Sequence, residues 1–466
     1  MATKQISGLT SLEKQTTAGL AGVYGVRMLG LFMILPVFAL YASTLEGVTP
    51  SLIGLAIGIY GLTQAIFQIP LGLLSDRIGR KPVILGGLAV FAIGSIIAAV
   101  STSIEGIIIG RAIQGSGAIA AATLALLADL TRETVRTRVM AIVGVTIGTA
   151  FSVAMVLGPL LNEWIGVPGI FWVTALLAVV AAAIVLWGVP SPTRLKRHRD
   201  TGMVWSYLGD VLSNTQLLRL DLGIFTLHLL LSSNWVVLPL QFQDHFAMPS
   251  AVHWKIYLPV MLLGFFTMVP FIIIAENRHH MKGVFSGAVA VLVLSEALLY
   301  LNNASFWALM LALWVFFTAF NLLEASLPSL VAKISPPDAK GTAMGAYSTS
   351  QFMGIFVGGV VGGWLHQHYG LSSVFLFGVV VSLIWLLAAA TMQKPRYLTS
   401  YVLDIGIVDR DRADELTEEL NSLPGVEEVV VIGHEGVAYL KVDHGMVDIE
   451  ALDRYSQSSG EALAVG

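Results

Sequence analysis

The sequence predicts an all-α membrane bundle of twelve transmembrane helices in two six-helix halves, followed by a small α+β domain. Three observations carry this. The chain has 466 residues, is 56% hydrophobic and only 12% charged, with a mean hydropathy of +0.78, whereas soluble proteins carry roughly a quarter charged residues. Its apolar runs are long enough to cross a hydrocarbon core, which takes about 20 residues each. After Met392 the composition turns acidic and polar.

In chain order the spans fall near 18–42, 51–71, 82–102, 106–127, 139–161, 168–189, 218–240, 256–275, 283–301, 304–327, 341–364 and 373–392. The first run is too long for a signal-peptide core and is followed by no small-residue cleavage site, so it is expected to stay as a helix. Loops joining even to odd spans, with both termini, carry Lys14, Arg77, Arg80, Lys81, Arg132, Arg138, Arg194, Lys196, Arg197, Arg199, Lys282, Lys333, Lys340 and further basic residues; the opposite loops carry only Lys255. Basic loops stay in the cytoplasm, so both termini are expected there. The net charge of −4 is not gathered into a basic patch, which gives no reason to invoke nucleic acid. The absence of cysteine excludes disulfides, thiolate metal sites and thiol nucleophiles. No cofactor and no metal site are expected, and the bilayer is the expected surroundings.

The organisation reads as a first bundle over 1–189, a linker over 190–216 that is basic from Arg194 to Arg199, a second bundle over 217–392 and a C-terminal domain over 397–466. Weak similarity recurs at a spacing of about 200 residues, as in duplicated transporters. Asp76 corresponds to Glu276, and Gly158-Pro159 through Trp164 to Gly358-Gly359 through Trp364.

The most specific stretch is Gly72-Leu73-Leu74-Ser75-Asp76-Arg77-Ile78-Gly79-Arg80-Lys81-Pro82, a charged turn between two apolar runs. It resembles the signature Gly-x-Leu-x-Asp-Arg-x-Gly-Arg-Lys that joins the second and third helices in the major facilitator superfamily. The resemblance implies a conformational latch in which Asp76 and Arg80 meet Asp129 at the end of the fourth span, with the turn facing the start of the eleventh. Arg111-Ala112-Ile113-Gln114-Gly115-Ser116-Gly117 resembles the Arg-x-x-Gln-Gly-x-Gly motif of proton-coupled members. Gly158-Pro159 resembles the centre of the antiporter motif, although Ala154 stands where glycine is expected. Together with Lys340-Gly341-Thr342-Ala343-Met344-Gly345 leading to Ser348, Ser350, Gln351 and Gly354, these features are similar to the drug:proton antiporter branch.

Few polar residues lie within the spans. Arg27 and His228 sit at similar depth in the first and seventh, and Arg111 lies in the fourth; a guanidinium there needs a polar cavity or a partner. In the tenth, Phe317, Asn321, Glu324 and Pro328 recur at helical spacing, forming one stripe with a polar centre. The resemblance places the first, fourth, seventh and tenth helices around the cavity. Glu324 is therefore the expected proton carrier, Asn321 its orienting neighbour and His228 the reserve. Glu296, nearer the other surface, is expected to pack or snorkel.

The tail reads as a strand at 399–405, a helix at 411–423, strands at 426–432 and 437–442, a second helix near 446–455 and a last strand, a β-α-β-β-α-β unit. It resembles the ferredoxin-like domains of the heavy-metal-associated family at Leu423-Pro424-Gly425-Val426. That family's Cys-x-x-Cys is replaced by Asp409-Arg410-Asp411-Arg412, so a regulatory ligand or ion, or a docking role, is expected in place of copper or zinc.

The expected function is a secondary transporter of the bacterial inner membrane that exports a small, largely apolar compound by proton antiport through alternating access. No Gly-x-x-x-x-Gly-Lys-Ser/Thr phosphate loop points to ATP-driven pumping, and no enzyme activity is expected. Two alternatives stay open: a metabolite or sugar-efflux permease of the same fold, and a non-transporting membrane sensor whose tail is the output domain.

Overall fold

The computed structural model describes residues 9–191, 207–277, 280–301, 305–336, 339–393, 399–433, 436–442, 447–448, 451–452, 454–455 and 463–465. The basic linker cluster at 194–199, the turn residues Arg278 and His279, the side chain of Glu276 and residues 446, 449, 450 and 453 of the expected second tail helix lie outside the described residues.

The first span is two helices, α1 (Ser11–Phe32) and α2 (Leu35–Ala42), parted just before Pro36, which has no amide hydrogen to continue the ladder. Thr10 caps α1 in a reciprocal box with Glu13, so the helix starts well before the apolar run. α3 (Pro50–Ile78), capped by Thr49, runs to Gly79, whose φ of +103° suits glycine and allows α4 (Arg80–Val100) to start at once. The fourth span breaks at Gly117 into α5 (Ile104–Ser116) and α6 (Ala120–Asp129). α7 (Glu133–Ala183) contains two spans divided at Gly166, where φ is +66° and Pro168 follows. A π-helical turn, Ile184–Gly188, ends it.

A short α8 (Leu208–Ser213) precedes α9 (Thr215–Phe246), whose Asn214 cap accepts from two backbone amides. Then follow α10 (Trp254–Asn277), α11 (Met281–Leu301), α12 (Phe306–Ile334), α13 (Lys340–Tyr369) and α14 (Ser372–Ala390). Ten described helices are long and apolar enough to span a bilayer. The division at Gly166 adds one more, and α13, rich in glycine, serine and threonine, brings the spans to twelve. Several helices overrun the expected spans because caps and polar turns, which hydropathy does not register, continue the hydrogen-bond ladder.

The two halves meet chiefly through α3 and α13. On α3, Gly54 faces backbone of Gly359 and Gly363, Gly58 faces Phe356, and Gly61 faces Phe352 and Ile355. A second glycine face of α13, at Gly354, Gly358 and Gly362, lies on Phe225, Leu229 and Ser233 of α9. Bare backbones at such positions let helices approach without losing dispersion contact. These contacts between α3 and α13 lie in the half of the bundle remote from the 72–84 turn. At that remote end Asn162 donates to Ser250 at 3.3 Å and the Ser51 amide to Gln367 at 3.3 Å.

The tail forms a four-stranded antiparallel sheet from β1 (Thr399–Asp404), β2 (Val426–Ile432), β3 (Val437–Val442) and β4 (Leu463–Val465), in the order β2-β3-β1-β4. With α15 (Arg410–Asn421) after β1, this is the ferredoxin-like arrangement. Leu416 and Leu420 pack on Tyr401, Leu403, Leu440 and Val442. Asp409 caps α15 by accepting the Arg412 amide at 2.9 Å, and Arg412 pairs with Glu415 and Glu419. The charged run in place of Cys-x-x-Cys thus starts a helix, and no cluster suited to a metal occurs among the described residues.

Candidate functional site

The 72–84 turn forms a compact ionic cluster. Arg80, 6% exposed, pairs with Asp76, donates from Nε to Asp129 at 3.2 Å and from Nη1 to Ser75 at 2.8 Å. Ser75 in turn donates to the Gly72 carbonyl, and Gly72 packs closely on Ala121 of α6. Lys81 donates to the Val189 carbonyl. Three residues beyond Asp129, Arg132 binds Glu13 through its amide at 3.0 Å and its guanidinium at 2.8 and 2.9 Å. The turn, the end of the fourth span and the start of the first are thereby laced together. Among the described residues Asp76 pairs with Arg80, and no hydrogen bond or ion pair joins it to the start of α13. Arg77 extends the basic surface at the helix end, where a cation favours the α3 dipole.

Within the first half, Arg27 is 2% exposed. Its Nη2 donates to the Tyr60 hydroxyl at 3.0 Å, to Gln64 at 2.8 Å and to the Gly117 carbonyl at 3.3 Å, and the guanidinium lies over Phe91. The Gly117 carbonyl is left over by the break between α5 and α6, so Arg27 satisfies a group the helix cannot. Arg111 donates to the Ala56 carbonyl at 3.3 Å and to Gln114 at 3.1 Å, and lies over Tyr60. Gln114 donates to Ser95 at 2.7 Å. Both arginines are thus held by neutral acceptors and rings, and among the described residues neither meets a carboxylate.

In the second half, Glu324 on α12, His228 on α9 and Gln351 on α13 converge. Gln351 Nε2 lies 2.9 Å from His228 Nε2 and 3.4 Å from Glu324 Oε1, and His228 Nε2 is 3.8 Å from Glu324 Oε2. His228 Nδ1 faces the Ile224 carbonyl at 3.3 Å, which fixes the ring. The Glu324 side chain is 38% exposed, while its Oε2 atom is enclosed. One turn away, Phe320 meets His228 and stacks toward Phe151 of α7, which meets Phe32 of α1. An aromatic row therefore crosses between the halves beside the carboxylate.

Asn321 does not orient Glu324. Among the described residues no hydrogen bond joins them, and Gln351 fills that role because α13 crosses α12 and α9 at this level. Sequence reasoning also passed over Asp221, two helical turns from His228 on the same face of α9 and 7% exposed, and Tyr347, one turn from Gln351 with its hydroxyl buried. The seven-residue spacing from Asp221 to His228 was the available signal. Gly158 packs on the Met33 carbonyl and Pro36, so the antiporter-like glycine sits where α1 gives way to α2; Pro159 follows it inside α7. Glu296 neither snorkels nor reaches a surface: it is fully buried and accepts from Asn234 at 2.8 Å.

The fold and these motifs define a transporter, and the family model described as Major Facilitator Superfamily matches residues 20–274 and 220–400. The chain belongs to the Major Facilitator Superfamily and is a multi-pass membrane transporter, not an enzyme. It is 50% identical over 436 residues to the "Inner membrane transport protein YajR" of Escherichia coli (strain K12), covering 93% of this chain and 95% of that one. It is 39% identical to an "Uncharacterized transporter BU466" of Buchnera aphidicola subsp. Acyrthosiphon pisum, over 74% of this chain and 89% of that one. Among solved structures, a bacterial homolog to the human lysosomal transporter Spinster, in an inward-facing and occupied conformation, superposes with a TM-score of 0.69 at 12% identity, over 83% of this chain and 98% of that one. A point mutant of the nucleoside transporter NupG gives 0.66 at 17%, over 81% and 100%. These two likenesses concern the fold alone.

Asp76→Asn keeps Arg80 bonded to Asp129 and Ser75, so the variant is expected to fold. It removes the charge available to the positive N-terminal end of α13 once the halves close at this end, an interaction of up to about 1 kcal/mol at exposed positions. The expected outcome is a resting population shifted toward opening at the 72–84 end and slower transport. Unchanged accessibility of single cysteines from the two sides would remove the latch role.

Proposed function

We propose that this protein exports a small, largely apolar compound across the bacterial inner membrane in exchange for protons, with Glu324 as the carrier. The observation that carries the reading is the Glu324–Gln351–His228 cluster, a partly exposed carboxylate on a helix expected to line the cavity, bordered by an aromatic row shared between the halves. Polar or ionisable groups inside a membrane domain are costly and mark ion or substrate pathways. In this reading the 72–84 end is cytoplasmic, and the contact of α3 with α13 at the other end supports assigning this as the inward-open form. Opening outward loads the proton on Glu324; opening inward or binding substrate releases it. Arg27 and Arg111 supply fixed positive charge on the facing half, and Gln114 holds Arg111 in place. The small number of polar groups around the aromatic row favours an apolar compound over a sugar. The ferredoxin-like tail is assigned to regulation by a ligand or ion, or to docking.

The test is an efflux assay in cells over a panel of apolar dyes and drugs, with and without a protonophore. Ionophore-sensitive efflux of at least one compound supports the reading, and efflux indifferent to the ionophore contradicts it. Orientation has its own check, since the chain has no native cysteine. Single cysteines at Ser43 and Ser372 are expected to label from outside and one at Thr193 is not; the reverse pattern would invert the topology.

A further inference from the structure

The buried pair Glu296 and Asn234 is used by none of the steps above. Glu296 on α11 is 0% exposed and Asn234 on α9 is 2% exposed. Asn234 Nδ2 donates to Glu296 Oε1 at 2.8 Å. The two remaining oxygens, Asn234 Oδ1 and Glu296 Oε2, are both buried and neither has a donor. The space for the carboxyl is built into α14: a Cβ at Gly378 would overlap Glu296 Cδ and Oε2. The neighbouring Ser295 hydroxyl is already committed to the Ala312 carbonyl of α12 at 2.8 Å.

No cation compensates the pair among the described residues. The helices packed against α11 are α10, α12 and α14. α14 carries no titratable residue, α12 carries Glu324 and Lys333, and α10 carries Lys255 and Tyr257, with Glu276 at its far end. On α9, besides Asn234, stand Asp221, His228, Asp244 and His245, with Arg219 a turn from its start. None of these pairs or hydrogen-bonds with Glu296 or Asn234 among the described residues. An ionised carboxylate here would be an isolated buried charge beside an unsatisfied amide oxygen, and both are penalised in a dry interior. A hydrogen on Oε2 removes the isolated charge and supplies a donor where there is none, and an acid and a primary amide can form a cyclic pair, each donating once and accepting once.

We propose that Glu296 binds a proton on Oε2 and shares it with Asn234 Oδ1, a second proton-binding site separate from the cavity cluster. This proton stays bound through the transport cycle and braces α9 to α11, while the exchanged proton is carried elsewhere. The assignment holds whether or not Glu324 is the carrier.

The test is infrared spectroscopy of the full chain in lipid, comparing wild type, Glu296→Gln and Glu324→Gln. A protonated-carboxyl C=O band is expected that persists from acid to mildly alkaline pH, is lost in Glu296→Gln and is kept in Glu324→Gln. The glutamine variant retains an amide donor toward Asn234, so its melting temperature is expected to be unchanged. A carboxylate signal assigned to Glu296 at neutral pH would overturn the proposal, whether water or an ion then fills the gap. A second measurement needs no variant. Wild-type melting temperature is expected to be the same in sodium and in choline chloride, and a specific rise with sodium would replace the proton by a bound cation.

Discussion

Glu324→Gln is expected to lower proton-driven flux by about 100-fold or more, the range typical of removing a required proton-transfer group, while substrate binding and counterflow persist. The amide keeps the size of the carboxyl and still accepts from Gln351 on its carbonyl oxygen, so the helix contacts at the cluster survive. What it cannot do is exchange a proton. The pH dependence follows with a definite sign: wild-type export rises as the outside is made more acidic than the inside, and flux in the variant ignores the gradient. Proteoliposomes with an imposed pH gradient separate the two. Full coupling in Glu324→Gln would eliminate this residue as carrier and move the assignment to His228, whose Nε2 lies 3.8 Å from the same carboxyl.

Gly58→Leu is expected to hold the bundle open at the end remote from the 72–84 turn. Gly58 lies against the Phe356 carbonyl and Cα, with Gly54 on Gly359 and Gly363 a turn away. A leucine side chain cannot occupy that contact without parting α3 from α13. Overpacking of this kind costs about 1–3 kcal/mol, which corresponds to a shift of about 5- to 150-fold in the ratio of the two states. Spin labels on cysteines at Ser43 and Ser372 report it directly, since there is no native thiol to block. The expected result is a longer distance in Gly58→Leu and transport slowed in proportion. Unchanged distances with normal transport would mean that these glycines are packing residues only.

Much of this architecture was legible in the sequence because it is written in local terms. Apolar length set the spans, basic loops suggested an orientation, and turn chemistry at Gly79 marked the junction of α3 and α4. Glu324 was legible because Phe317, Asn321, Glu324 and Pro328 keep helical spacing. Its partner was not, since Gln351 reaches it from another helix and nothing in the spacing within α12 distinguishes it from Asn321. Glu296 packs, one of its two expected outcomes, but what it packs against was hidden for the same reason. Its depth along α11 is visible in sequence, but the side that it faces is set by Asn234 and by the gap at Gly378. The two glycine faces of α13 show the opposite limit. Their abundance was plain, yet which glycines meet α3 and which meet α9 depends on the crossing of three helices.

The most direct measurement is simultaneous recording of substrate and proton movement in proteoliposomes containing the wild-type chain, using a compound recovered from the efflux panel and a pH dye inside the vesicles. Proton antiport by alternating access predicts proton movement opposite to the substrate, proportional to it, and absent in Glu324→Gln. Substrate movement with no accompanying proton flux, or protons moving in the same direction as the substrate, would contradict it.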